Sequence, residues 1–353
     1  MHRYLTSVLV ALGLAVVLAP AAPVAEEAKP SKVDSGIQLV TSTDIVSKQR
    51  GWAEALLGVP IDWKSFESGR DAVLGLGARG VDWVLTGSSP TAFGLSTGVQ
   101  GEVIWIFHLL GENEALVVRP GSEIEAVEDL RGKKVAAPFG STTHYDVLKA
   151  LDLAGVEPAE LTLLDMEPPA MAAAFERGDI DAGWVWFPAL QRLYDAGGVA
   201  IINALDMAKQ GFPTADNLVL DPDFGQKYPD VVAKYIATLH CGVVLDKQDP
   251  DATAQDIANE FGIDLDTART ALAQVERLTA EELLDPKWMG TSKNKGAYAE
   301  ALWSQAHFLK DQGLIEAAYD KGFYRDRLNP KYIELAIEKG YTKQCDQLPN
   351  WPR

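Results

Sequence analysis

The chain has 353 residues, 47% of them hydrophobic and 8% aromatic, a balance that argues against a disordered chain and allows two domains with sizeable cores. Its formal charge is -18, and no basic stripe with interleaved aromatics is present. Nucleic-acid and anionic-lipid partners are therefore argued against, since both need Lys and Arg facing phosphate.

Met1-His2-Arg3 supplies a short positive segment, and Val8 to Leu18 an apolar run too short to span a bilayer. Small residues follow, and no Cys stands near the cleavage sites, so residues 1–25 read as a cleaved secretion signal and the mature protein as periplasmic and soluble. Cys241 and Cys345 are the two cysteines; neither belongs to a Cys-x-x-Cys pair or a His cluster, so no metal site is predicted. In an oxidising compartment they either pair or stand as two separate buried thiols.

Residues 26 to about 35 are polar and read as a flexible start, and 37–40 as the first strand. A helix is predicted from about Ile45 to Leu57, ending at Gly58, then a strand over 59–66 and a helix opened by Ser68-Gly69. Trp83 to Thr86 reads as a strand, and Gly87-Ser88-Ser89-Pro90 opens a helix with Ser89 as N-cap and Pro90 at the first helical position. Val103–Leu109 and Asn113–Val118 read as strands, the latter leaving the first lobe.

The most informative stretch is Pro138-Phe139-Gly140-Ser141-Thr142-Thr143-His144-Tyr145, placed between the strand 134–137 and the helix 147–153. A strand feeding a hydroxyl-rich turn and then a helix leaves backbone N–H groups free at the positive end of the helix dipole, where an anion is favoured. One of the three hydroxyls as a mere N-cap is the plainer reading. Three hydroxyls followed by a His exceed what one cap requires, and the Gly87–Pro90 stretch repeats the device.

Helices at 123–131, 168–177 and 189–196, strands near 161–164 and 183–186, and a return strand at 217–220 follow. From Pro229 onward the periodicity is helical, over 231–244, 252–261, 267–275 and 298–313. The unit Arg79-Gly80-Val81-Asp82 has a counterpart in Arg177-Gly178-Asp179-Ile180-Asp181, a helix stop before a strand in both. With the paired loops this predicts an α/β protein of two similar lobes and mainly parallel sheets.

These residues resemble the taurine-binding proteins of ABC importers, within the nitrate/sulfonate/taurine class of periplasmic binding proteins. The matching runs include Asp62 to Gly69, Gly87-Ser88-Ser89-Pro90, Asn113 to Val118, Pro138 to Tyr145, Pro168-Pro169-Ala170, Val185 to Ala189, Pro213 to Asp216 and His307 to Gly313. The likeness covers residues 37–320, and its weight lies in the order and spacing of motifs that are weak singly. Two departures stand out. The loop at 41–48 is shorter than the family's and lacks its aromatic and Gln, and the tail from about Tyr324 is longer and carries Cys345.

The resemblance implies a type II-like two-lobe binding protein whose ligand cleft lies between lobes joined by two hinge strands. Lobe 1 would comprise 36–118 and 214–330, lobe 2 119–213, and a C-terminal tail 331–353. It implies a monomer without cofactor that hands taurine, or another small sulfonate or amino-acid-like anion, to an ABC permease and its ATPase. Ser88, Ser89, Thr142 and Thr143 would then hold the sulfonate, with His144 as a further donor. Asp216 stands at the position of the family's amine-binding carboxylate, Trp186 offers a ring face to the ammonium, and Glu114 is a second candidate carboxylate. An enzyme is the competing class, since relatives of this fold make the thiamine pyrimidine; no nucleophile or base at a motif spacing accompanies His144.

Overall fold

The computed structural model describes residues 28–352, so the expected leader at 1–25 lies outside the described residues. Strands and helices are numbered in chain order. The first sheet is built from β1 (Val33–Gln38), β2 (Ile61–Phe66), β3 (Trp83–Gly87) and β4 (Glu102–Leu109), and the second from β5 (Glu114–Val118), β6 (Lys134–Ala137), β7 (Thr162–Asp165), β8 (Ala182–Trp186) and β9 (Val199–Asn203). A last strand, β10 (Ala215–Leu220), returns to the first sheet. The orders are β2-β1-β3-β10-β4 and β7-β6-β8-β5-β9.

The two sheets are thus the same design. In each, three parallel strands are followed by one antiparallel strand that the chain delivers from the other lobe. This corrects two expectations. The sheets are mixed rather than mainly parallel, because β10 runs against β3 and β4 and β5 against β8 and β9. The strand Glu114–Val118 also belongs to the second sheet, so the chain changes lobe before it, not after. The two crossings lie side by side, with the Leu110 amide donating to the Thr214 carbonyl at 3.0 Å.

The central strands are buried on both faces, as near-continuous apolar runs require; β3, β5 and β8 are buried throughout. Trp83 anchors the first core, stacked on Tyr235 at 4.4 Å between ring centroids and edge-on to Phe224 at 5.6 Å. Leu116, Val135, Leu151 and Trp184 centre the second.

Among the described residues eight α-helices precede β10: α1 (Thr43–Arg50), α2 (Trp52–Leu57), α3 (Gly69–Gly77), α4 (Ser88–Ser96), α5 (Thr142–Ala154), α6 (Pro168–Arg177), α7 (Ala189–Asp195) and α8 (Ala204–Lys209). The helix expected over 45–57 is two, because Gly51 takes the left-handed region at φ 66° and ends α1. The helix expected over 123–131 is only the short 3-10 turn Val127–Leu130, tied by the Asp129 carboxylate accepting the amides of Glu125 and Ala126 at 3.0 Å. The first strand starts earlier than expected because its polar residues are covered by β2 and β3 on either side. Strand β9 was not among the expected strands: its apolar run Val199-Ala200-Ile201-Ile202 is short and forms a partly exposed edge.

After β10 come α9 (Pro222–Lys227), α10 (Pro229–Gln248), α11 (Pro250–Phe261), α12 (Leu265–Ala273), α13 (Ala280–Leu283), α14 (Tyr298–Asp311), α15 (Lys321–Asp326) and α16 (Lys331–Glu338). Cys241 on α10 is bonded to Cys345 in the tail. Around that bond Trp52 donates its indole N–H to the Pro349 carbonyl at 2.6 Å and stacks on Trp351 at 5.3 Å.

Candidate functional site

In open α/β sheets ligands sit outside the carboxyl ends of the parallel strands. Here those ends from both lobes face each other. Strand β1 ends at Gln38, β3 at Gly87, β6 at Ala137 and β8 at Trp186, and the segments that follow wall a cleft that is nearly shut, with free space of only about 10 Å³. The first lobe contributes Gln38, Val40, Gly69, Gly87 and Pro90, the second Ser141, Thr142 and Trp186. Glu114 and Asp216, one from each exchanged strand, complete the wall.

Three helices begin at the cleft. Ser68 caps α3 by accepting the Asp71 amide at 3.4 Å, Gly87 is the N-cap of α4, and Ser141 caps α5 by accepting the His144 amide at 3.1 Å. Each leaves first-turn N–H groups without intrahelical partners, aimed where an anion is stabilised. The lobes are closed on each other. A Cβ on Gly87 would lie 2.6 Å from Thr142 Cγ2, a distance only glycine allows. Arg70 of α3 reaches Asp165 of the second lobe at 3.4 Å, and Gly140 packs against its aliphatic stem.

Of the residues singled out from sequence, Glu114, Thr142, Trp186 and Asp216 come together in the cleft. The Thr142 hydroxyl donates to Glu114 Oε1 at 2.9 Å, leaving Glu114 Oε2 buried without a partner. Glu114 and Trp186 are directly opposed in the β5–β8 ladder. The others sit elsewhere. The Ser88 hydroxyl accepts the Ala215 amide at 3.3 Å, and Thr143 is bonded to Ser141 through their hydroxyls at 2.8 Å. Ser89 is not the N-cap, since the helix already begins at Ser88; its hydroxyl is buried without a partner. His144 turns into its own loop, where Nδ1 accepts the Gly140 amide at 3.2 Å and the ring stacks on Phe139 at 4.3 Å. Burial pushes its pKa down to about 4, so it is neutral with its proton on Nε2, and it is not among the residues that line the cleft.

Sequence reasoning missed the acids around the cleft. Asp44 at the start of α1 is fully buried; its Oδ1 accepts from the Ser42 hydroxyl and from the Ile45 amide at 2.8 Å, and Oδ2 has no partner. Burial first, then nearby Asp216, raises its pKa to about 7. Asp146 on α5 is buried beside Thr214 with both oxygens lacking a well-formed hydrogen bond, and desolvation raises its pKa far above the carboxylate range. Glu114 is raised likewise, by desolvation and then by Asp146 and Asp216. His108 of β4 places Nε2 3.1 Å from Asp216 Oδ2.

Among the described residues no Lys or Arg lines the cleft. The buried Arg277 is engaged elsewhere: it donates to the Thr41 and Leu272 carbonyls at 2.8 and 3.1 Å and pairs with Asp246 at 3.2 Å, fixing the loop after β1. Just before Thr41, Gln38 and Val40 line the cleft. Gln38 was legible in principle as the last residue of a parallel strand; His108, Asp44 and Asp146 lie within regular elements and give no local signal. Among the described residues no cluster suited to a metal ion occurs. The arrangement offers backbone donors to an acidic group and carboxylates to a cationic one.

Comparison with known proteins adds the following. Residues 88–253 match the family described as NMT1/THI5 like. The chain is 33% identical over 269 residues to the taurine-binding periplasmic protein of Escherichia coli K12, spanning 74% of this chain and 80% of that protein. Among solved structures, the alkanesulfonate-binding protein of Xanthomonas axonopodis pv. citri, bound to MOPS, superposes with a TM-score of 0.70 at 20% identity, over 86% of this chain and 99% of that one. A desulfurization enzyme, DSZB, superposes with a TM-score of 0.61 at 15% identity, over 88% and 99%. The last two likenesses speak to the fold alone.

Proposed function

This chain belongs to the family of periplasmic substrate-binding proteins that includes the taurine-binding protein of Escherichia coli, and from that premise we propose that it captures taurine and delivers it to an ABC permease with its ATPase. The observation that carries the ligand is the pairing, in one closed cleft, of three helix starts with the carboxylates of Asp216 and Glu114 and no Lys or Arg. A sulfonate presents three acceptor oxygens to fixed N–H donors, and burying an ammonium needs a counter-charge inside the cleft. In this reading the amides at Ser88, Ser89, Thr142 and Thr143 hold the sulfonate, Asp216 meets the ammonium, and Trp186 covers it with a ring face. Nitrate and simple alkanesulfonates have no amine for Asp216 and would leave it buried against an anion.

A binding role rather than catalysis is supported by the same residues. Both cysteines are joined in a disulfide, so neither offers a thiol nucleophile, and His144 engages Nδ1 within its own loop. The apolar segment at 8–18 and the periplasmic relatives support export. Calorimetric titration with taurine, ethanesulfonate, nitrate and β-alanine tests the assignment, together with a mass spectrum of the recovered ligand. Taurine is expected to bind tightest and to be recovered unchanged. Tighter binding of nitrate or ethanesulfonate would overturn the ligand, and a changed ligand mass would overturn the binding role.

A further inference from the structure

The cleft holds more acid than a zwitterion can answer. Glu114 faces Asp146 on α5 and Asp216 on β10, and behind Asp216 stand Asp44 on α1 and His108 on β4. Its other neighbours are the Thr142 hydroxyl and Trp186, neither of which carries a charge to offset it. All four acids are buried, and Asp44, Glu114 and Asp146 each keep at least one oxygen without a hydrogen-bond partner. Taurine brings one positive and one negative group, so its arrival adds no net charge. Four buried carboxylates around a neutral ligand and one imidazole cannot all stay ionised, because an uncompensated buried charge is prohibitively costly.

Asp146 and Asp44 lie outside the cleft lining, whereas Glu114 lines it, between residues of both lobes. The Thr142 hydroxyl occupies Oε1 as its donor, which leaves Oε2 as the oxygen available to a ligand. An ionised Glu114 at the start of α5 would repel a sulfonate drawn to the same helix terminus; a neutral one donates to it. We propose that Glu114 enters the ligand-bound cleft as a neutral acid whose Oε2–H serves as a hydrogen-bond donor to the ligand, so that capture takes up one proton from solution. It is then a residue that selects an acid-plus-ammonium ligand, and Asp216 alone answers the ammonium. This rests on the reading of the ligand as an aminosulfonate.

The test is calorimetric titration of taurine in buffers of differing ionisation enthalpy, from about pH 6 to about pH 8, with the parent, Glu114→Gln and Asp216→Asn; a linked proton changes affinity by up to about tenfold per pH unit. The parent should take up close to one proton above neutrality and bind more weakly as pH rises. Glu114→Gln keeps a donor without the charge, so it should bind within about threefold of the parent at low pH, with no uptake and a flat profile. The parent's proton count needs no variant and stands even where a substitution unfolds the chain. Binding by the parent without uptake refutes the proposal, as does uptake that persists in Glu114→Gln, which would place the proton on another group. A loss in Glu114→Gln as large as in Asp216→Asn makes Glu114 a second counter-charge and also refutes it. A parent that binds no taurine at any pH overturns instead the functional reading beneath it.

Discussion

Asp44→Asn should stabilise the ligand-free protein increasingly as pH rises from mild acid to alkaline. The carboxyl is fully buried, and its folded pKa is about 7 against 3.8 for the free group. The native state therefore holds a proton that the unfolded chain has released. Stability from this group is fully present below the unfolded value and is lost as pH rises through about 7. Between pH 5 and pH 8 the linkage amounts to roughly 2–3 kcal/mol from this one residue. Asparagine keeps the acceptor that Ser42 and Ile45 use and places its NH₂ where Oδ2 now has no partner. The variant's advantage over the parent should thus grow by roughly 2–3 kcal/mol between pH 5 and pH 8. Urea denaturation across that range reads the difference, and an unchanged m-value shows that the unfolded state is the same. Growing repulsion among the protein's many acids destabilises parent and variant alike, so it cancels in the comparison. Parallel pH profiles for the two proteins would refute the reasoning, since they would mean that Asp44 is ionised or solvated in the native state.

Other consequences concern binding and the tail. Asp216→Asn should weaken taurine by about 2–5 kcal/mol, roughly thirtyfold or more, and ethanesulfonate far less, as read by paired titrations; an unchanged ratio of the two would remove Asp216 from the ammonium. Gly87→Ala should hinder closure, because the added Cβ meets Thr142 Cγ2 at 2.6 Å. Affinity falls with the population of the closed state, by about tenfold or more, while the ligand-free melting temperature holds; small-angle scattering should show less compaction on adding ligand. Replacing Cys241 and Cys345 together with Ser opens a loop of 104 residues and should cost about 4–5 kcal/mol in the chain-entropy picture, measured by urea unfolding. Titratable thiols in the denatured, unreduced parent would show instead that the bond does not form.

The parts legible from sequence are those whose signal is local. Pro168 and Arg177 bound α6 as expected, since proline opens a helix and Gly178 closes it in the left-handed region at φ 84°. The turn before Thr142 was legible for the same reason, and Ser141 is its cap. What was not legible depends on partners far away in the chain. Glu114–Val118 reads as a strand in either lobe, and only its pairing with β8 and β9 places it. His144 beside three hydroxyls looks like a donor to an anion until Gly140 is seen to take Nδ1. Asp146 lies within the polar first turns of α5 and His108 is one polar residue in the apolar β4; the cluster of four acids and this histidine exists only because five elements from two lobes meet there.

That meeting follows from the exchange of strands. Glu114 is the first residue of β5 and Asp216 the second of β10, so each stands just past a crossing between the lobes. Points close to a hinge move least when lobes rotate, whereas the starts of α4 and α5 lie on opposite lobes and come together only on closure. The carboxylates are thus the fixed part of the site and the helix starts the moving part. A zwitterion held through its ammonium at the hinge presents its sulfonate to both helix starts at once, and this ties recognition of the ammonium to closing of the lobes. An anion without the amine meets the buried acids first and gains the helix starts only by closing over like charge. Selectivity on this account resides in the closing step: a monoanion can bind one lobe weakly, but it does not stabilise the closed pair.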